Sequence, residues 1–166
     1  ACPVCSPTRA SILTGRYPAR VGVTDYIDWA GTYHPVRGRL IDAPYLKGLP
    51  AAETSLAAAL KKGGYATWHV GKWHLGQADL YPGRHGFDVN VGGCEWGMPR
   101  FGYFSPWRIP TMSDGPAGAY LTDRLTDEAI ALVRSAGKGR PFFLNLCHYA
   151  VHTPIQAKPE DARRYE

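Results

Sequence analysis

No apolar run in these 166 residues approaches the roughly 20 that a bilayer-spanning helix needs, so no such helix is encoded. Cysteine is sparse. Four residues (2, 5, 94 and 147) are too few for a disulfide scaffold and say nothing of redox compartment. Basic clusters are missing as well: 19 Lys and Arg against 14 Asp and Glu leave +5, but the arginines are scattered along the chain. That distribution argues against nucleic-acid binding and suits an anionic substrate. Neither an internal repeat nor a low-complexity tract is present. The chain opens at Ala1-Cys2-Pro3 with no initiator Met and no signal-peptide pattern, and it closes in what reads as a helix. It is therefore expected to be an internal stretch of a longer protein, residues 1–166 being part of one domain. What is abundant is Gly and Pro, 19 and 14 residues, which implies many turns and a chemistry carried on loops. The 45% apolar and 20% charged content is that of an ordinary globular chain.

The first helix is expected over Ser6–Gly15, with Ser6 as N-cap, Pro7 at the first helical position and Gly15 as the stop. Residues 17–50 show no sustained period and read as loop. Thr54–Lys62 reads as a helix ended by Gly63-Gly64, and Tyr65–Val70 as a short strand. Residues 71–119 are again irregular. Thr122 should cap a helix running to about Ala136, with Leu125, Ala129, Ile130, Leu132 and Val133 as its apolar face. Pro141–Cys147 has the near-continuous apolar pattern of a strand buried on both faces. Helix followed by strand, twice, predicts an α/β fold with a mostly parallel central sheet.

Three segments place reactive side chains where these elements begin or end. In Cys5-Ser6-Pro7-Thr8-Arg9 a cysteine stands at a helix start, where unpaired N–H groups and the helix dipole favour negative charge, and Arg9 lies one turn on. A buried cysteine beside a surface arginine is the plain alternative. A phosphatase loop would need Arg six residues after the cysteine. Cys5 is followed there by Ser11 and Cys2 by Thr8, so that spacing fails. Cys2 and Cys5 are also spaced as a dithiol or half a zinc site, with His148 and His152 as the other half. In Gly71-Lys72-Trp73-His74-Leu75-Gly76 a lysine and a histidine, two residues apart, follow a strand's carboxyl end, where ligands of parallel sheets gather. In an extended loop they would point to the same side. The third segment, His148-Tyr149-Ala150-Val151-His152-Thr153-Pro154, follows the second strand in the same way. Asp25, Asp28 and Asp88 read as solvated or structural. Trp73, Trp96, Tyr103 and Trp107 are either sugar-stacking aromatics or local core.

Cys5-Ser6-Pro7-Thr8-Arg9, continuing as Ala10-Ser11-Ile12-Leu13-Thr14-Gly15-Arg16, resembles the active-site motif of the type I sulfatases over twelve contiguous residues. Gly71–Gly76 resembles that family's second motif, and His152-Thr153-Pro154 its His-x-Pro element. The resemblance extends more weakly through Arg84–Asp88 and Gly102–Trp107. It implies an alkaline-phosphatase-like three-layer fold with helices on both faces, incomplete here. It also implies hydrolysis of a sulfate monoester, preferably a carbohydrate sulfate, to an alcohol and inorganic sulfate. Cys5 would be converted by a formylglycine-generating or sulfatase-maturing enzyme to Cα-formylglycine, whose hydrate attacks sulfur and later expels sulfate by elimination. The catalytic residues implied are Cys5, Arg9, Lys72, His74 and His152, with Lys72 and His152 binding the sulfate and His74 serving as base. His148 has no firm counterpart and reads as supporting or structural. A divalent cation, usually Ca2+, would be bound by Cys5 as its formylglycine. The family's remaining acidic and Asn ligands and its second lysine have no match in residues 1–166. The chain alone is therefore expected to bind metal weakly and not to turn over. The family commonly works outside the cytoplasm, so a periplasmic or secreted location is expected. Three rivals remain at this stage: a phosphonate monoester or phosphodiester hydrolase of the same superfamily, a non-catalytic sulfated-glycan-binding protein, and the zinc or dithiol protein.

Overall fold

The computed structural model describes residues 2–29, 39–40, 43–137 and 139–165; positions 30–38 and 41–42 of the expected 17–50 loop lie outside these. Three runs of β-formers make a parallel sheet: β1 (Ala66–Gly71), β2 (Val89–Val91) and β3 (Phe142–Cys147), in the order β2-β1-β3. Trp68 sits opposite Val89 on one side and Leu144 on the other. The two-residue period then sorts the side chains. Phe143 packs towards a core with Ala10, Leu13, Ala57, Trp73 and Phe87, where α1 (Cys5–Thr14) and α3 (Leu56–Lys62) lie. Val70 and Leu144 pack the other way, with Leu121 and Leu125 of α4 (Leu121–Ser135) and with Tyr103 and Trp107. The result is a parallel sheet with helices on both faces, as expected. Two single-turn α-helices, α2 (Pro18–Val21), inside the expected loop, and α5 (Pro159–Ala162), and two 3-10 turns, Ala78–Leu80 and Pro82–His85, complete the described elements.

Several local expectations are corrected. Ser6 does not cap α1: the helix begins at Cys5 after Val4, and no side chain caps it. Thr122 is likewise inside α4, which starts after Tyr120 without a side-chain cap. Ser55 does cap α3, accepting from the Ala58 N–H at 3.0 Å. Ile130 and Val133 are 41% and 43% exposed, because Leu121, Leu125 and Ala129 alone face the sheet fully and no described layer covers the helix flank. β3 is not buried on both faces: Phe142 and Leu146 are each 39% exposed, since β3 ends the sheet among the described residues. Within the irregular 71–119 stretch β2 went unforeseen, because three residues are too few to show a period. Trp73, Trp96, Tyr103 and Trp107 are all buried, so they are core rather than sugar platforms. Asp88 is structural: its carboxylate accepts from the Thr67 N–H at 3.0 Å and pairs with Lys61 at 2.6 Å.

The core under β1 holds two neutral imidazoles. His69 and His85 flank the Trp73 ring at 5.2 and 5.4 Å between centroids. Burial pushes their pKa values down, to about 3 for His69, held up by the Gly71 carbonyl, and to about 4 for His85, where the Leu80 carbonyl favours the proton. In the unfolded chain both rings take up protons near pH 6.5. Unfolding therefore binds protons in this window, and stability is full above pH 6.5 and falls with the pH towards 4. At 1.36 kcal/mol per unit, His85 contributes on the order of 3 kcal/mol to that fall. Replacing His85 with Phe is expected to flatten the acid limb, read as denaturant midpoint against pH from 7 to 4.

Candidate active site

Cys5 is the first residue of α1 and is half-buried. Because Pro7 has no N–H, the unpaired donors at this helix start are few, and the local positive field comes chiefly from two side chains. Arg9, one turn on, donates from Nη1 to the Lys72 carbonyl at 2.8 Å and so ties α1 to the exit of β1. Its Nε is buried without a partner among the described residues, leaving donor capacity at the site. Cys5 and Arg9 share the wall of a cavity of about 430 Å³ with His69, Trp73, Asn145 and Cys147.

Lys72 leaves β1 with its N–H donating to the Cys147 carbonyl at 2.7 Å, so the ends of β1 and β3 stay together past the ladder. Gly71, at φ +99°, permits this: a Cβ there would stand 2.0 Å from the Cys147 oxygen. Lys72 is only 4% exposed. Burial, with the nearby Arg9 charge adding to it, lowers its pKa from 10.5 to about 8. No carboxylate pairs with it among the described residues.

His74 joins this cluster by a different route from the one expected. Its backbone is left-handed, φ 58°, rather than extended, and the ring is buried. Nε2 lies 2.8 Å from the Ile27 carbonyl, and the His74 N–H donates to the Cys94 carbonyl at 3.0 Å. Gly97 leaves room for the ring, since a Cβ there would come within 2.6 Å of Cε1. Burial first, then the Lys72 charge, lowers the His74 pKa to about 4, so the imidazole is neutral at pH 7. His152 lies after β3 on the exposed rim; His74 and His152 line a second cavity of about 490 Å³ with Trp29, Asp28 and Arg100. Cys5, Arg9, Lys72 and His74 are thus one cluster, and His152 faces it from the side of the second cavity. His148 is apart from both cavity walls, its Nδ1 buried and unpartnered among the described residues.

The sequence reading did not foresee three contributors. Ser6 was expected only as a cap, whereas its Oγ bridges α1 to His74 and Ile27. His69 and Asn145, in register on β1 and β3, meet at 3.0 Å on the face towards α1. A polar residue at the same point of two apolar strands was the available signal. The remaining dithiol or zinc expectation gains no support: all four cysteines are free, and among the described residues no three His, Cys, Asp or Glu side chains converge.

A helix start and two strand exits meeting beyond the carboxyl end of a parallel sheet is the ligand-site layout of open α/β proteins. The family model described as Sulfatase matches residues 1–166, and the chain belongs to that family. It is 32% identical over 173 residues to N-acetylgalactosamine-6-sulfatase of Homo sapiens, covering 93% of this chain and 32% of that protein. It is 42% identical over 155 residues to steryl-sulfatase of Rattus norvegicus, covering 85% of this chain and 24% of that one. Among solved structures, that of Ps i-CgsB in complex with k-i-k-neocarrahexaose matches with a TM-score of 0.73 and 28% identity over 99% of this chain and 38% of the other. The chain thus spans between about a quarter and two fifths of the length of these relatives. The fold is the alkaline-phosphatase-like one of sulfatases, in part.

Proposed function

We propose that the whole protein hydrolyses a sulfate monoester, on a carbohydrate, to an alcohol and inorganic sulfate. The observation that carries this reading is the meeting of Cys5, Arg9, Lys72 and His74 at one place, with His152 across an adjoining cavity. Lys72 and the spare Arg9 donors neutralise a sulfate group, which must lose its repulsion before a nucleophile approaches. His74, neutral at pH 7, is in the state needed to accept a proton. His152, on the rim, is placed to give one to the departing oxygen. The cavity of about 490 Å³ takes the alcohol part, with Trp29 as an apolar wall and Asp28 and Arg100 as polar ones. A sugar fits that mixture, and the complexed carbohydrate of the Ps i-CgsB structure supports the same class.

Residue 5 fits conversion to formylglycine: it is half-buried, opens onto a cavity and lies beside Lys72. That group supplies a hydrated carbonyl as the nucleophile. A sulfatase-maturing enzyme is the partner this requires. The residues described here do not fit a complete Ca2+ site, because residue 5 is the one ligand they offer, so no step is assigned to the ion. We take residues 1–166 as part of one catalytic domain in a periplasmic or secreted protein, and these residues alone as inactive. No helix among the described residues is long and apolar enough to cross a membrane.

The test is turnover of the whole, converted protein on paired sulfate and phosphonate esters of one alcohol. Faster sulfate release, by about 100-fold or more, is expected, the margin being roughly that of one oxyanion-stabilising contact. Preference for the phosphonate makes the protein a phosphonate hydrolase instead. Binding of sulfated glycan without turnover makes it a binding protein.

A further inference from the structure

We propose that Arg100 forms an anion subsite in the second cavity, so that the sugar bearing the scissile sulfate also carries a second negative group, a sulfate or a carboxylate. The inference rests on the reading of that cavity as the seat of the alcohol part. Arg100 lines its wall together with His74 and His152. Its guanidinium lies over the ring of Trp96, 5.1 Å from the centroid. Trp96 is buried, and the Phe101 ring packs against it at 5.9 Å between centroids, so the platform under the cation is fixed. Stacking covers one face of the guanidinium and leaves its in-plane N–H donors open, ready to fork onto two oxygens of a sulfate or carboxylate. Among the described residues Arg100 takes part in no ion pair.

The loop that carries Arg100 is tied to both histidines of the site. The Cys94 carbonyl accepts the His74 N–H at 3.0 Å, and Gly97 lies against the His74 ring. At the other end the Tyr103 hydroxyl donates to the His152 carbonyl at 2.9 Å, and the Tyr103 N–H donates to Gln156 Oε1 at 2.7 Å. Between them the Gly102 N–H donates to the Pro99 carbonyl at 2.9 Å, which closes a turn around Arg100. Arg100 is thereby held on the cavity that His74 and His152 share. The scissile sulfate has cations of its own, Lys72 at the exit of β1 and Arg9 in the wall of the first cavity. A third cation, on the second cavity, is surplus to one sulfate. A neutral sugar leaves it without a counter-charge, and an anionic substituent supplies one. At about 490 Å³ the cavity has the size of a site for one small ligand, which places that substituent on the sugar being desulfated. Asp28 also lines the cavity, so the preference for an anion is local to Arg100 and not that of a cavity positive throughout.

The experiment measures binding by calorimetry to the whole protein with Cys5 unconverted, so that turnover does not interfere. The ligands are a hexose monosulfate, its disulfates covering each second position, and the corresponding monosulfated uronate. Wild type is expected to bind at least one of these dianions about 10-fold more tightly than the monosulfate, the gain of one charge-assisted fork. The dianion preferred tells whether the second group is a sulfate or a carboxylate. Arg100→Met keeps the length and loses the charge. It should bring that dianion to within about twofold of the monosulfate, with the monosulfate itself bound as in wild type, because Lys72 and Arg9 remain. Arg100 is exposed, so the substitution is compatible with folding. Arg108→Met is the control. Arg108 also stacks on an aromatic ring, that of Phe101 at 4.9 Å, but stands outside the cavity wall, and its loss should leave the preference intact. A wild type without preference for any dianion overturns the proposal. So does a preference that survives Arg100→Met, or one that falls equally in Arg108→Met and so reflects the general field of the surface. Turnover of the converted protein on the monosulfate tests the hydrolase reading separately: a protein that binds with this preference and releases no sulfate keeps the subsite and loses the reaction.

Discussion

Cys5→Ala in the whole protein is expected to eliminate sulfate release, with a loss of at least about 10⁴-fold in kcat, on the scale found when a nucleophile is removed from a site that otherwise stays intact. Little structural change should accompany it. Cys5 sits at an uncapped helix start and is half-buried, and no hydrogen bond of its side chain holds the fold together among the described residues. Alanine is also a good helix former. The thermal midpoint should stay within a degree or two, as for a substitution away from the core. The decisive companion measurement is the mass of the peptide containing residue 5 in the wild type. Conversion replaces the thiol sulfur and two hydrogens by one oxygen, a loss that mass spectrometry resolves. A wild type that retains the thiol and still turns over at full rate contradicts the assignment of residue 5 as nucleophile.

Lys72→Met should separate activity from stability. The ammonium is buried and has no carboxylate partner among the described residues, and its pKa falls from 10.5 to about 8. The sign follows from that direction. The unfolded chain holds the proton up to about pH 10.5, while the folded chain releases it near 8. The fold therefore bears the full desolvation cost below pH 8 and none above 10.5. At 1.36 kcal/mol per unit this is about 3 kcal/mol, and a methionine of similar length removes it. The variant is expected to be more stable at pH 7 by up to that amount, the gain vanishing as the pH passes 10.5. Its kcat/KM on a sulfate ester should fall by about 10²- to 10³-fold, the cost of losing one charge aimed at the developing anion. Unchanged kcat/KM, or lower stability at neutral pH, would count against Lys72 as the anion's counter-charge.

The sequence made the chemistry more legible than the packing. Cys5, Lys72, His74 and His152 each fall at the end of an element whose start or stop is written in Pro, Gly or a change of period, and those signals are local. The parallel sheet was legible from alternating helix and strand patterns for the same reason. What failed depended on neighbours far along the chain. Ser6 looks like a helix cap from its position alone, and only contact with His74, 68 residues away, reveals its use. The Lys72–His74 pair was expected to converge through extended alternation, but a left-handed residue brings the ring in. Trp96, Tyr103 and Trp107 lie in irregular chain, and nothing local distinguishes a displayed aromatic from one that fills the core over β1. Ile130, Val133, Phe142 and Leu146 show the converse: an apolar pattern says that a side chain seeks cover, not that residues 1–166 provide it.

The outer side of β3 carries a practical lesson. Its row of backbone donors and acceptors has no ladder partner among the described residues, and Phe142 and Leu146 lean into solvent beside it. A bare strand of that kind is a template, and it does not discriminate between its intended neighbour and another copy of itself. Anyone purifying this stretch by itself would be handling an adhesive surface, and colloidal behaviour would set the limit on what could be measured before chemistry did.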